Sequence, residues 1–160
     1  MQLLMIRHSY AAEPGSVVGG DFERPLTERG QQVFSHMAMW LVARGIVPDR
    51  ILYSPLVRAR QTADILAHSS GQELSAENAR RWIGSGLPLE ELLSELNSQP
   101  AESVAIIGHE PHMSSCTSAL VAGGRLHFLP ATIASIRFDG EIREGHGLLE
   151  WMLSPKQFHG

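Results

Sequence analysis

The chain has 160 residues (17.6 kDa), 43% of them hydrophobic and 19% charged, and this size predicts a single folded domain over residues 1–160. No stretch approaches the ~18 apolar residues that a membrane-spanning helix needs, and the net charge of -4 disfavours nucleic acid and anionic lipid as partners. The one cysteine, Cys116, excludes an intramolecular disulfide and favours a reducing, cytoplasmic setting.

The first strand-loop-helix unit is predicted within residues 2–43. An apolar run at residues 2–6 indicates a buried strand, which ends abruptly at Arg7. Residues 13–24 contain several glycines and few periodic apolar positions, and they indicate a loop. Thr27 then provides an N-cap for a helix at Glu28–Ala43.

A second strand-helix unit is predicted next. The strand covers Arg50–Tyr53, and Ser54 is expected to cap a helix over residues 55–68 that begins at a proline. Arg58 then lies in the first turn of this helix. Residues 73–76 are expected to form a further short strand.

The second half of the chain continues the alternation. It predicts a helix at residues 89–96, a strand at 103–107, a helix at 111–121, and two closing strands at 133–138 and 148–153. Strands that alternate with helices predict a three-layer α/β/α domain with a mostly parallel central sheet.

Basic and imidazole side chains follow three of the predicted strands. Arg7 and His8 close the first, Arg58 begins the helix after the second, and His109 follows the third. Because ligands of open α/β sheets bind beyond the carboxyl ends of the strands, we expect these four side chains to converge. Arginine binds oxyanions through two parallel hydrogen bonds, and histidine can attack phosphorus, so the pattern predicts a phosphoryl pocket.

Four short segments occur in a fixed order along the chain. They are LMIRHSYA at residues 4–11, RPLTERG at 24–30, SPLVRARQTA at 54–63 and AIIGH at 105–109. In this order and spacing they resemble the signatures of the histidine phosphatase superfamily, and most closely its small SixA-like branch of phosphohistidine phosphatases. The resemblance covers nearly the whole chain and implies the phosphoglycerate mutase-like fold of that family.

The resemblance also implies residue roles. His8 is the nucleophile that becomes phosphorylated, and Arg7, Arg58 and His109 bind the phosphoryl oxygens. Arg24 is a further candidate contact with the substrate. No metal and no cofactor is implied.

Two positions depart from the family pattern. Ser9 stands where the signature usually has glycine, so it either crowds the backbone beside the nucleophile or adds a hydroxyl to the substrate pocket. No acidic residue clearly matches the proton donor of other members, and Glu90 and Asp21 are the candidates. A phosphohistidine substrate relaxes this need, because a protonated imidazole is already a good leaving group.

The leading hypothesis is a metal-independent phosphatase that acts on phosphohistidine in a protein partner. The links at residues 62–103 and 123–132 are short, so we expect an open pocket and no mutase activity. The alternatives are a general phosphatase of small phosphomonoesters and a weakly active module that binds phosphorylated ligands. A zinc-binding His-Glu-x-x-His motif is excluded, because Met113 occupies the second histidine position.

The remaining candidate residues have structural or surface interpretations. Arg60, Arg80 and Arg81 are predicted at the surface, and Cys116 is predicted to be buried in a helix. Surface or structural roles are also predicted for His36, His68, His112, His127, His146 and His159.

Overall fold

A computed structural model describes residues 1–158 as a five-stranded sheet between two layers of helices. The strands are β1 (Gln2–Arg7), β2 (Arg50–Tyr53), β3 (Ser103–Gly108), β4 (Ile133–Arg137) and β5 (Leu148–Leu153). The helices are α1 (Glu28–Ala43), α2 (Val57–Ser69), α3 (Arg81–Gly84), α4 (Leu89–Ser98) and α5 (His112–Leu120). The expectation for His159 lies outside the described residues.

The sheet is mixed, with strand order β2-β3-β1-β4-β5. β1 and β2 both run parallel to β3, whereas β4 is antiparallel to its neighbours β1 and β5. The predicted parallel arrangement therefore holds for the first three strands, and an antiparallel pair completes the sheet. Because β1, β2 and β3 are parallel neighbours, their carboxyl ends meet at one edge.

Both faces of the sheet are covered, which confirms the three-layer prediction. Leu3 and Met5 of β1 pack in a cluster with side chains of α3, α4 and α5. Leu4 and Ile6 point to the opposite face and pack with α1 and α2. A strand buried on both faces reads as a continuous apolar run, as residues 2–6 do.

The α1 helix begins and ends where the sequence predicts. The Thr27 side chain accepts a hydrogen bond from the Gly30 amide at 3.0 Å and so satisfies one of the free N–H groups of the first turn. Gly45 follows the helix with a φ of 70°, a left-handed conformation that glycine adopts without steric cost.

Two local predictions are wrong. The α2 helix begins at Val57 with Leu56 as its N-cap residue, so Ser54 is not the cap. Residues 73–76 form no strand, because Ser75 caps a short 3-10 helix at Ala76–Asn78. The chain stays beside the sheet, and Ala79 forms an isolated bridge with Tyr53 of β2.

Three of the remaining expectations are decided by burial. Arg60 is exposed and Cys116 is buried in α5, as predicted. Arg80 is partly buried instead of solvated, because its guanidinium pairs with Glu95 at 2.9 Å. Among the described residues, no helix is long and apolar enough to cross a membrane.

Candidate active site

The sheet brings the predicted site residues together beyond the carboxyl ends of its parallel strands. The amide of His8 donates to the carbonyl of Gly108, and that of Ser54 donates to Ile107, each at 3.0 Å. These bonds extend the strand pairing by one residue and set β1, β3 and β2 side by side at the site. The resulting cavity of about 320 Å³ is lined by Arg7, His8, Ser9, Tyr10, Ala11, Glu13, Arg24, Arg58, His109, Glu110 and Pro130.

The His8 side chain is buried, and both of its ring nitrogens have partners. Nδ1 lies 2.7 Å from the carbonyl oxygen of Ser9, which can only accept, so Nδ1 carries the proton. Nε2 in turn accepts a hydrogen bond from Arg58 Nε at 3.3 Å. Both contacts require the same neutral tautomer, which directs the lone pair of Nε2 into the cavity.

The electrostatic surroundings keep His8 neutral. Burial is the main cause that lowers the pKa of His8 to about 3, and the hydrogen bond to Ser9 opposes it. Protonation of His109, where it occurs, and the positive charges of Arg58 and Arg7 lower the pKa further. At neutral pH Nε2 of the imidazole is therefore unprotonated, as a nucleophile requires.

The guanidinium of Arg58 is held from two directions. Nε points to His8, while Nη1 and Nη2 donate to the carbonyl oxygen and the carboxylate of Asp21 at 2.7 Å and 2.9 Å. Arg58 is only 5% exposed, so these contacts leave its side chain little freedom. The edge of the guanidinium that carries Nε remains directed at the nucleophile.

Asp21 is paired with two arginines in this arrangement. Its second carboxylate oxygen lies 2.8 Å from Arg24 Nε. Burial acts to raise the pKa of Asp21, but the hydrogen bond and charge of Arg58, followed by those of Arg24, outweigh it and lower the pKa below its usual value. Asp21 is therefore an ionised partner of the site arginines, and it has no proton to donate at neutral pH.

Arg7 and Glu110 hold the same peptide segment. Arg7 Nη1 donates to the carbonyl of Phe128 at 2.7 Å, and Glu110 accepts from the Phe128 amide at 3.1 Å. The other carboxylate oxygen of Glu110 accepts from the Ser114 hydroxyl at 2.7 Å. Both oxygens of Glu110 are thus occupied, although its side chain lines the cavity.

His109 lies opposite the nucleophile. The ring centroids of His109 and His8 are 5.0 Å apart. Nε2 of His109 is 2.7 Å from the Ser54 hydroxyl, whereas Nδ1 has no partner within residues 1–158. Burial, with the charge of Arg58, lowers the pKa of His109 to about 4, so this imidazole is also neutral at neutral pH.

Ser9 does not present its hydroxyl to the cavity. The hydroxyl donates to the carbonyl of Gly30 at 2.7 Å, and the Ser9 amide donates to Thr62 Oγ1 at 3.2 Å. Thr62 also donates to the Arg58 carbonyl at 2.8 Å, which ties the loop after β1 to α2. Ser9 therefore does not add its hydroxyl to the substrate pocket, and the hydroxyl instead links the loop after β1 to the start of α1.

The structure places one of the two remaining candidate residues at the cavity and the other away from it. Arg24 lines the cavity, but Glu90 is exposed in the first turn of α4 and does not line it. Sequence reasoning missed Thr62 and Glu110 as supports of the site. Their proximity to Arg58 and His109 along the chain was the available signal.

No metal centre is evident in this part of the chain. Among residues 1–158, the His, Cys, Asp and Glu side chains form no group of three that could hold a metal ion.

Comparison with known proteins identifies relatives over nearly the whole chain. The model of the histidine phosphatase superfamily (branch 1) matches residues 3–86. The phosphohistidine phosphatase SixA of Escherichia coli K12 is 30% identical over 158 residues, which cover 97% of this chain and 94% of the relative.

Solved structures agree with this comparison. A structure of the protein histidine phosphatase SixA complexed with tungstate superposes with a TM-score of 0.82 and 28% identity, covering 99% of both chains. A SixA structure from Agrobacterium tumefaciens gives a TM-score of 0.80 and 25% identity, covering 96% of this chain and 97% of that one.

Proposed function

The chain belongs to the histidine phosphatase superfamily, and from this premise we propose that it hydrolyses phosphohistidine on a partner protein through a covalent phosphohistidine at His8. One observation carries the proposal. The unprotonated Nε2 of His8 faces a cavity in which Arg58 Nε lies 3.3 Å away. A neutral nucleophile beside a fixed cation suits attack on a phosphoryl group.

The reaction takes place in two displacements at phosphorus. In the first, the lone pair of His8 Nε2 forms a bond to phosphorus, and the bond from phosphorus to the leaving group breaks. In the second, water attacks phosphorus, the bond to Nε2 breaks, and inorganic phosphate leaves. Arg7, Arg58 and His109 stabilise the negative charge on the phosphoryl oxygens, where one such donor contributes ~10²–10³ in rate.

The acid-base character of the site favours phosphohistidine as substrate. Asp21 is ionised and paired, and Glu90 does not line the cavity, so neither supplies the proton that an alkoxide leaving group needs. An imidazole leaving group takes its proton from solvent near neutral pH, because its usual pKa is ~6.5. We therefore expect slow turnover of alkyl phosphates and no mutase activity.

The relatives support the same assignment. The Escherichia coli relative is named a phosphohistidine phosphatase, and the SixA structure was solved with tungstate, a tetrahedral oxyanion like phosphate. By this analogy the cavity of the present chain binds a phosphoryl group. A single free cysteine, Cys116, fits a reducing compartment such as the cytoplasm.

Steady-state kinetics on three substrates tests the proposal. A protein domain that carries phosphohistidine, free phosphoramidate and an alkyl phosphate are compared by kcat/KM, each with and without EDTA. We expect the order protein phosphohistidine, phosphoramidate, alkyl phosphate, with no effect of EDTA. Preference for the alkyl phosphate indicates a general phosphomonoesterase, and tight phosphate binding without turnover indicates a binding module; either result contradicts the proposal.

A further inference from the structure

Ser54 contacts Nε2 of His109, whereas the other ring nitrogen, Nδ1, has no partner among the described residues. Its hydroxyl is fully buried and lies 2.7 Å from His109 Nε2. The two residues are 55 positions apart in sequence, and the parallel pairing of β2 with β3 brings them together. This contact replaces the helix-capping role that the sequence predicts for Ser54.

The hydroxyl proton of Ser54 has one acceptor among the contacts of the described residues. The Leu56 amide also approaches the Ser54 oxygen, at 3.4 Å, but an amide N–H only donates. The hydroxyl therefore accepts from Leu56 and donates to His109 Nε2. A nitrogen that accepts a hydrogen bond carries no proton, so the proton of the neutral His109 ring lies on Nδ1.

Water has little access to this hydroxyl. A Cβ built on Gly84 would lie 2.9 Å from Ser54 Oγ and 3.2 Å from a methyl group of Leu56. The last residue of α3 therefore packs directly over the hydroxyl, and no side chain fits between them. The hydrogen bond to His109 is the one that the enclosed hydroxyl makes as a donor.

The Nδ1–H group of His109 is left as a donor without a partner among the described residues, on a side chain that lines the cavity. His109 is 8% exposed, and its Nδ1 atom is buried without a hydrogen-bond partner in residues 1–158. A buried donor without a partner is unfavourable, and at a pocket it indicates a group that the ligand satisfies. The residue lines the same cavity as His8.

We propose that Ser54 is a positioning residue that fixes the proton of His109 on Nδ1, so that His109 donates a hydrogen bond to a phosphoryl oxygen. The two site histidines then hold the same tautomer for opposite purposes. The Ser9 carbonyl accepts from His8 Nδ1 and leaves Nε2 unprotonated for attack. The Ser54 hydroxyl donates to His109 Nε2 and leaves Nδ1–H free to donate. The catalytic part of this inference rests on the proposed function.

Nitrogen NMR of the full chain labelled with ¹⁵N-histidine tests the tautomer directly, because protonated and unprotonated ring nitrogens resonate in separate regions. His109→Gln assigns the signals by their disappearance. We expect Nδ1 of His109 to be protonated and Nε2 to be unprotonated at neutral pH. In Ser54→Ala we expect the chemical shifts of the two nitrogens to move toward intermediate values, because both tautomers are then populated. Protonation of Nε2 in the unmodified protein would overturn the inference.

Kinetics of the same variants tests the catalytic consequence. Ser54→Ala should lower kcat on phosphoramidate at least ~10-fold, and by no more than the ~10²–10³-fold caused by loss of a whole donor. In a His109→Gln background, Ser54→Ala should have no further effect, because Ser54 acts through His109. Ser135→Ala removes another fully buried serine hydroxyl, from β4, and is the matched control.

The outcomes separate this inference from the proposed function. An unchanged kcat in Ser54→Ala, or equal losses with and without His109, would overturn the inference while phosphatase activity stands. If the protein turned over none of the three substrates, the proposed function would fail, and the NMR experiment would still decide the tautomer. A Ser54→Ala protein that does not fold leaves the decision to the NMR spectrum of the unmodified protein.

Discussion

Gly30 packs against Tyr10 so closely that a Cβ built at position 30 would lie 2.0 Å from the Tyr10 carbonyl oxygen. The carbonyl of Gly30 also accepts a hydrogen bond from the Ser9 hydroxyl. The start of α1 is thus fitted directly to the loop that follows His8. This contact gives a physical reason for glycine three residues after the helix cap Thr27.

Gly30→Ala is expected to displace the loop beside the nucleophile. Alanine favours helices by ~1 kcal/mol over glycine, but here the steric overlap should reverse the sign and destabilise the protein by ~1–3 kcal/mol. Urea unfolding should show the lower stability, and kcat should fall because the loop beside His8 is displaced. Gly140→Ala is the matched control, because a Cβ there meets no atom within 4 Å. Equal stability of the two variants would contradict the proposed packing.

Asp21→Asn should affect all substrates alike. The change removes the negative charge that pairs with Arg58 and Arg24 but preserves the shape of the side chain. Because the guanidinium of Arg58 is then less well oriented, kcat/KM should fall by ~10-fold on phosphoramidate and alkyl phosphate equally. A loss confined to alkyl phosphates would instead identify Asp21 as a proton donor.

Glu90→Gln is the companion to this experiment. Glu90 is exposed and lies outside the cavity lining, so we expect its removal to leave kcat/KM on both substrates unchanged. A selective loss on alkyl phosphates in Glu90→Gln would show that the side chain reaches the site during turnover.

Arg58 should not be replaceable by lysine. Arg58→Ala is expected to lower kcat by ~10²–10³, and Arg58→Lys should recover little of it, because an ammonium cannot contact His8 and Asp21 simultaneously as the guanidinium does. In the double variant Arg7→Ala/Arg58→Ala, kcat should fall by less than the product of the two single-variant factors. Arg60→Ala, on the exposed side of α2, is the control and should behave as wild type. Near-normal turnover in Arg58→Ala would remove Arg58 from the site.

The buried histidines should make stability depend on pH. The pKa values of about 3 for His8 and about 4 for His109 lie below the ordinary value of 6.5. Between those values and 6.5 the unfolded chain binds more protons than the folded chain. The free energy of unfolding should therefore fall as the pH drops below 6.5, by up to ~1.4 kcal/mol per pH unit for each histidine.

Urea denaturation at pH 7.5, 6 and 5 measures this dependence. His8→Gln and His109→Gln should each lose less stability between pH 7.5 and 5 than wild type, because one buried imidazole is gone. His36→Gln, which removes an exposed imidazole, is the control. Parallel pH dependences in all four proteins would contradict the neutral state of the buried rings.

The strand ends that carry the site could be predicted from sequence. The apolar run at residues 2–6 ends at Arg7, and the cap at Thr27 and the start of α1 follow from local side-chain chemistry. The convergence of His8 and His109 follows from the rule that parallel strands align their carboxyl ends. These features depend on residues that are near one another in the chain or on general sheet geometry.

Contacts between distant segments could not be predicted in the same way. The local pattern at Ser54 is that of a helix cap, and only the pairing of β2 with β3 turns its hydroxyl toward His109. Likewise, Asp21 pairs with Arg58 across 37 residues, from a loop whose sequence has no periodicity. For the same reason the sequence leaves Asp21 as a candidate proton donor, whereas the structure pairs its carboxylate with Arg58.

Rapid-quench labelling tests directly whether His8 carries the phosphoryl group during turnover. The protein is mixed with a ³²P-phosphohistidine protein domain in the presence of EDTA, quenched in alkali within one turnover, and digested to locate the label. We expect transient, acid-labile label on His8 in wild type and in His36→Gln, and neither label nor turnover in His8→Gln. Turnover that persists in His8→Gln, or label on a residue other than His8, would contradict this expectation.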